Sequence, residues 1–117
     1  MDNLSEKTCS ACRAGSPTLT DAELCAAQAQ LPDWTLDVVA GVNQLTREYR
    51  FKNFMQAMAF TQAVGALAEE YGHHPALLTE WGRVKVSWWT HKINGLHEND
   101  AIMAAKTEQL FGKRFAT

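Results

Sequence analysis

Glu69, His73, His74 and Pro75 fall within one short segment, and His91 and Asp100 follow it. Such residues at a common site suit proton transfer, because imidazole takes up and releases protons near neutrality. Gly72 ends a predicted helix, so His73 and His74 stand just beyond its negative end, where a protonated imidazole is stabilised. Pro75 drives His74 into extended backbone. Two adjacent extended residues point opposite ways, so the two histidines are expected to have different tasks. Glu69 and Glu70 occupy the last helical turn, where a carboxylate is disfavoured, and neither has a lysine or arginine three or four residues away. Glu70 reads as solvated surface. Glu69 lies roughly 60° from the centre of the helix's small-residue stripe, at the edge of the buried face, where a ligand best accounts for it.

On residue types alone three readings stay open. The histidines are satisfied surface or core residues; or they form a small-molecule site working by acid–base chemistry; or Glu69, His73, His74 and His91 bind a metal. The metal reading lacks the pair of histidines four apart on a helix that catalytic zinc often uses. His97 reads as a solvated loop histidine. Trp88 shares a strand face with Val84 and Val86 and reads as core. Trp81 and Trp89 are open between packing and stacking on a flat heterocycle.

The elements that must position these side chains follow from periodicity. Thr20-x-x-Glu23 is a capping box opening a helix to about Gln30, where Pro32 stops it. Trp34, Leu36 and Val38 alternate with Thr35 and Asp37 as a half-buried strand; Ala40–Gly41 makes a turn; residues 43–51 alternate again, with Leu45, Tyr49 and Phe51 on one face. Asn53-x-x-Gln56 starts the longest helix, over residues 54–71, with Phe54, Ala57, Met58, Thr61, Gly65 and Ala68 as its small and apolar stripe. Residues 76–81 and 83–90 form a second hairpin around Gly82, with Lys85, Ser87, Trp89 and His91 opposite the valines, and a last helix runs from about Asn99 to Leu110. The order α-β-β-α-β-β-α predicts a single α+β domain over residues 18–117: a four-stranded antiparallel sheet with three helices on one face, after a flexible tail over residues 1–17.

The bulk numbers exclude several classes. A chain of 117 residues suits one domain, and 46% hydrophobic with 21% charged residues is an ordinary globular balance. A net charge of −2, without a run of three basic residues, argues against nucleic acid as partner. No apolar stretch reaches the roughly 18 residues of a membrane span, and the polar N-terminus lacks the apolar segment of a signal peptide, so the cytoplasm is expected. Three cysteines, an odd number, fit a reducing compartment. Cys9 and Cys12 are half a zinc knuckle with no second pair, and read as two free thiols in the tail.

The sequence resembles the pterin-4a-carbinolamine dehydratases, bacterial type. The resemblance rests on Glu69-x3-His73-His74-Pro75, then Trp81, His91 and Asp100 at fixed offsets, with THKINGLHEND before the last helix, and it spans about residues 19–112. The TEWGRVKVSWWTH run and the C-x2-C-R-A tail look most like bacterial members that serve phenylalanine hydroxylase. It implies the same α-β-β-α-β-β-α fold and the loss of water from 4a-hydroxytetrahydropterin to give quinonoid dihydropterin. It implies that His73, His74 and His91 surround the pterin as catalytic residues, with Glu69, Pro75 and Trp81 also contacting it, and with Asp100, supporting His91, and Thr90 as supporting residues. It implies neither metal nor resident cofactor, a homodimer or homotetramer, and a functional link to phenylalanine hydroxylase. Animal members also act as dimerisation cofactors of a homeodomain transcription factor, so a non-catalytic binding module is the competing function. The sequence differs from the family at Leu77, where many animal members carry tryptophan, and at His97, where the cap of the last helix is often serine.

Overall fold

The computed structural model describes residues 4–6 and 18–115. Its elements are α1 (Asp21–Gln30), β1 (Thr35–Val39), β2 (Val42–Arg50), α2 (Phe54–Tyr71), β3 (Ala76–Glu80), β4 (Arg83–Trp88) and α3 (Glu98–Arg114), in the expected order. The strands form one antiparallel sheet in the order β1-β2-β4-β3, so the two hairpins meet along β2 and β4, and α2 carries the chain from the centre to the far edge.

Local chemistry sets most boundaries. Thr20 caps α1 in a reciprocal box with Glu23, whose carboxyl the Thr20 backbone bond holds below its usual range. Asn53 accepts from the Gln56 amide at 2.9 Å to start α2. Gly72 ends α2 with φ +62°, and the bonds from its N–H to Glu69 O and from His73 N–H to Ala68 O are the paired closure of a left-handed helix end. That closure fixes where His73 leaves the helix.

The register puts Leu45 opposite Trp88, Arg47 opposite Val86 and Tyr49 opposite Val84 on the face the helices cover. Leu45, Val84, Val86 and Trp88 are fully buried there with Ala57, Phe60 and Val64 of α2 and Ile102 and Met103 of α3. Tyr49, Phe51, Phe60, Phe111 and Phe115 form an aromatic cluster; the Tyr49–Phe60 and Tyr49–Phe111 centroids are each 4.7 Å apart. On the open face the Thr46 hydroxyl bonds Ser87 at 3.1 Å.

Several expectations change in detail. The buried stripe of α2 is Ala57, Phe60, Val64 and Ala68, while Phe54 is exposed. Ala57 and Ala68 are the part of the expected stripe that is buried, and Phe60 and Val64 complete the packing face. Leu36 and Val38 are exposed on edge strand β1, so only Trp34 of that alternating set is buried. β4 ends at Trp88, because Thr90 pairs with Gly95 around a 3-10 turn, His91–Ile93, that Asn94 closes with φ +48°. The last helix begins one residue earlier and runs to Arg114. Within the stretch read as a tail, Leu4–Glu6 form a 3-10 turn with Leu4 buried, its N–H donating to Gln30 Oε1 at 3.1 Å, while Lys106 Nζ donates to Ser5 O at 2.9 Å. Cys9 and Cys12 lie outside the described residues, and Cys25 is an exposed free thiol on α1. No helix among the described residues is long and apolar enough to cross a membrane.

One core group makes stability depend on alkali. Burial, and then its bond to the Glu108 carboxylate, push the Tyr49 phenol well above its ordinary range. The unfolded phenol ionises near pH 10, and the folded one does not. The contribution is therefore intact below about pH 10 and is lost above it, as the unfolded chain releases a proton the folded chain keeps. The urea midpoint is expected to fall between about pH 9 and 11, and Tyr49→Phe should flatten part of that fall. Parallel declines in both proteins would refute the assignment.

Candidate active site

Two chain segments meet at one end of the second hairpin. The exit from α2 brings Gly72, His73 and His74; the turn after β4 brings Thr90, His91 and Lys92. These six residues line a cleft of about 220 Å³. The N-terminus of α3 supplies the floor behind it.

His73 is the best-held of the three histidines. Its Nε2 lies 2.6 Å from Asp100 Oδ1, and its ring lies flat against Trp88, with centroids 5.8 Å apart and planes 6° from parallel. The His73 side chain is 11% exposed and Asp100 is fully buried. Asp100 Oδ2 accepts from the Thr90 hydroxyl at 2.7 Å and from the His97 N–H at 2.9 Å. Three polar groups thus converge on one buried carboxylate. With Nε2–H donating to that carboxylate, Nδ1 is the ring nitrogen left to accept a proton.

His74 turns the other way, as its extended backbone requires. Its Nε2 bonds Glu69 Oε1 at 2.8 Å at the surface, with side chains 59% and 78% exposed. An exposed pair of this kind contributes little to stability. Its place at the cleft wall orients the ring. His91 is exposed, with its ring tilted against Trp89 at a centroid distance of 4.5 Å. Among the described residues neither of its ring nitrogens is hydrogen-bonded.

The cleft gathers His73, His74, His91 and Thr90, with Asp100 directly behind. Asp100 commits its oxygens to His73, Thr90 and His97 rather than to the expected His91, because α3 starts beneath the α2 exit. Glu69 reaches the cleft only through His74, and half-buried Pro75 leads into β3. Trp81 is not brought to the cleft. It sits 73% exposed on the β3–β4 turn, at the opposite end of strands roughly 17 Å long.

Sequence reasoning missed Lys92 at the cleft wall and Trp88 as the surface under His73. From residue types it reads His97 as a solvated loop residue, although the resemblance puts it at the cap position of the last helix. His97 instead caps α3, its Nδ1 accepting from the Asn99 N–H at 3.0 Å. The His97-x-x-Asp100 spacing is that of a capping box and could have revealed it. Among the described residues no group of three or more histidine, cysteine, aspartate or glutamate side chains is placed to hold a metal ion.

The family described as pterin 4 alpha carbinolamine dehydratase matches residues 17–110. A protein of Syntrophotalea carbinolica, provisionally named pterin-4-alpha-carbinolamine dehydratase, is 56% identical over 110 residues, covering 94% of this chain and 98% of its own. One of Marinobacter nauticus with the same provisional name is 56% identical over 111 residues, covering 95% and 100%. Among solved structures, a transcriptional coactivator/pterin dehydratase from Brucella melitensis superposes with a TM-score of 0.71 at 34% identity, over 80% of this chain and 98% of that one. A pterin dehydratase-like protein identified as a RuBisCO assembly factor in the alpha-carboxysome superposes with a TM-score of 0.58 at 26% identity, over 68% and 90%. With a family match over most of its length and relatives at this identity, the chain belongs to the pterin-4-alpha-carbinolamine dehydratase family.

Proposed function

We propose that this chain dehydrates 4a-hydroxytetrahydropterin to quinonoid dihydropterin. The observation that carries the reading is the His73–Asp100 bond at the back of a cleft that His91 also enters. Dehydration breaks the C4a–O bond and makes a C4a=N5 double bond. The departing oxygen takes one proton to leave as water, and the N5–H proton goes to a base. His73, with its lone pair on Nδ1, is the base; His91, whose ring nitrogens are open, is the acid. His74 binds and orients the ring with Glu69 behind it. The carbinolamine is already reactive, so positioning and proton transfer suffice without a metal or covalent intermediate. The proposal extends to tetrahydropterin recycling for phenylalanine hydroxylase, in the cytoplasm, by a homodimer or homotetramer.

The test is a coupled assay with synthetic 4a-carbinolamine, before and after exhaustive chelation. Quinonoid formation well above the spontaneous rate, unchanged by chelation, is expected. Formation at the background rate would remove the activity, and loss on chelation would bring back the metal reading. The assembly-factor and coactivator relatives favour a second reading, a module acting through a protein partner. A partner captured from lysate by a chain inactive in the assay would support it.

A further inference from the structure

The N-terminus of α3 does more than begin a helix. Asp100 is the third residue of α3, and its position relative to His97 is the geometry of a capping box. Two bonds close that box: Asn99 N–H to His97 Nδ1 at 3.0 Å, and His97 N–H to Asp100 Oδ2 at 2.9 Å. Asp100 Oδ1 in turn holds His73 at 2.6 Å. The backbone N–H of His97 is thus two hydrogen bonds from the ring that we assign as the base, while its imidazole, bonded to the Asn99 N–H, sets that backbone without lining the cleft.

We propose that His97 is a positioning residue for His73, acting through Asp100. The ring fixes the extended backbone of the cap, φ −117° and ψ 162°. That backbone aims the His97 N–H at Asp100, and the aimed carboxylate fixes the plane and tautomer of His73. Histidine is a weak cap by preference, so helix propensity alone does not account for it here. A neutral acceptor also caps the helix without placing a second carboxylate beside Asp100, as aspartate would. Serine and asparagine share that property. The role is therefore one of acceptor geometry, and another neutral acceptor should replace the ring. This inference rests on the dehydratase reading only for its kinetic part.

The experiment compares the wild-type chain with His97→Ala, His97→Ser and His97→Asn. The first readout is the His73 ring N–H resonance in imidazole-selective proton–nitrogen spectra, where a short bond to carboxylate gives a protected downfield proton. In His97→Ala this resonance is expected to move upfield or broaden, and kcat to fall by about three- to tenfold, the scale of a lost cap, with KM nearly unchanged. His97→Ser and His97→Asn should restore both. An unchanged His73 resonance in His97→Ala, or a perturbed one that neither polar variant restores, overturns the proposal. Should His97→Ala not fold, the two polar variants decide alone: a His73 resonance differing from wild type in both would overturn it. Should the wild-type chain show no dehydration, the dehydratase reading falls and the resonance still decides this one.

Discussion

Replacing His73 with alanine is expected to lower the dehydration rate by about 10² or more, the scale of losing a general acid or base. The expectation follows from how firmly the ring is held. Trp88 fixes its plane, Asp100 takes its Nε2, and 11% exposure leaves little freedom to substitute a solvent base. His91→Ala is expected to fall as far, because its open nitrogens leave it as the partner for the departing oxygen. Asp100→Asn tests the tautomer: an amide can present N–H to Nε2, which would pull the ring proton to Nδ1 and silence the base. A loss approaching that of His73→Ala is expected, with the fold intact by circular dichroism. His74→Ala should raise KM more than it lowers kcat, since its ring is bonded only at the surface. Near-wild-type single-turnover rates in both His73→Ala and His91→Ala would end the acid–base assignment.

The parts that were legible in the sequence have local causes. Capping at Thr20 and Asn53, the left-handed end at Gly72 and the alternation around Val84 and Val86 each depend on neighbours in the chain, and each element formed where those signals stand. The gathering of His73, His74 and His91 was foreshadowed by spacing, and the family resemblance supplied its chemistry. What was not legible depends on tertiary placement. Asp100 could be matched to a motif position, but its bonding to His73 depends on α3 starting under the α2 exit, which no local pattern encodes. The expected stripe of α2 contains the buried Ala57 and Ala68, but tertiary packing turns the rest of the buried face to Phe60 and Val64. Trp81 matched a motif offset, yet the hairpin carries it to the far end.

Glu108 was invisible to that reading, and its replacement is expected to destabilise the fold most. Its Oε1 accepts from Trp34 Nε1 at 2.9 Å, from the Tyr49 hydroxyl at 2.5 Å and from Arg47 Nη1. Those donors come from the approach to β1 and from β2, so one oxygen of α3 ties the helix to half the sheet. The Arg47 guanidinium also lies over the Tyr49 ring, 4.4 Å from its centroid. Burial opposes the charge on Arg47, and its bond to Glu108, together with the electrostatics of Tyr49, Glu108 and Asp33, more than offsets it, so its pKa is raised. Glu108→Ala leaves a buried hydroxyl, a buried indole N–H and a half-covered cation without their acceptor. The expected cost is about 2–4 kcal/mol, a fall in Tm of about 10 °C or more. Glu108→Gln keeps an acceptor but loses the charge, so it should fall between Glu108→Ala and the wild type. Glu70→Ala, at an exposed carboxylate, should move Tm little. A Glu108→Ala melt within about 2 °C of wild type would refute the keystone role. Glu108 lies eight residues, roughly 12 Å, along α3 from Asp100. The bonds that pin the middle of the helix are therefore separate from those that hold its first turn under His73. Dehydration by Glu108→Ala should stay near normal at temperatures where the chain is folded and collapse with its melt, whereas His73→Ala should lose rate at every temperature.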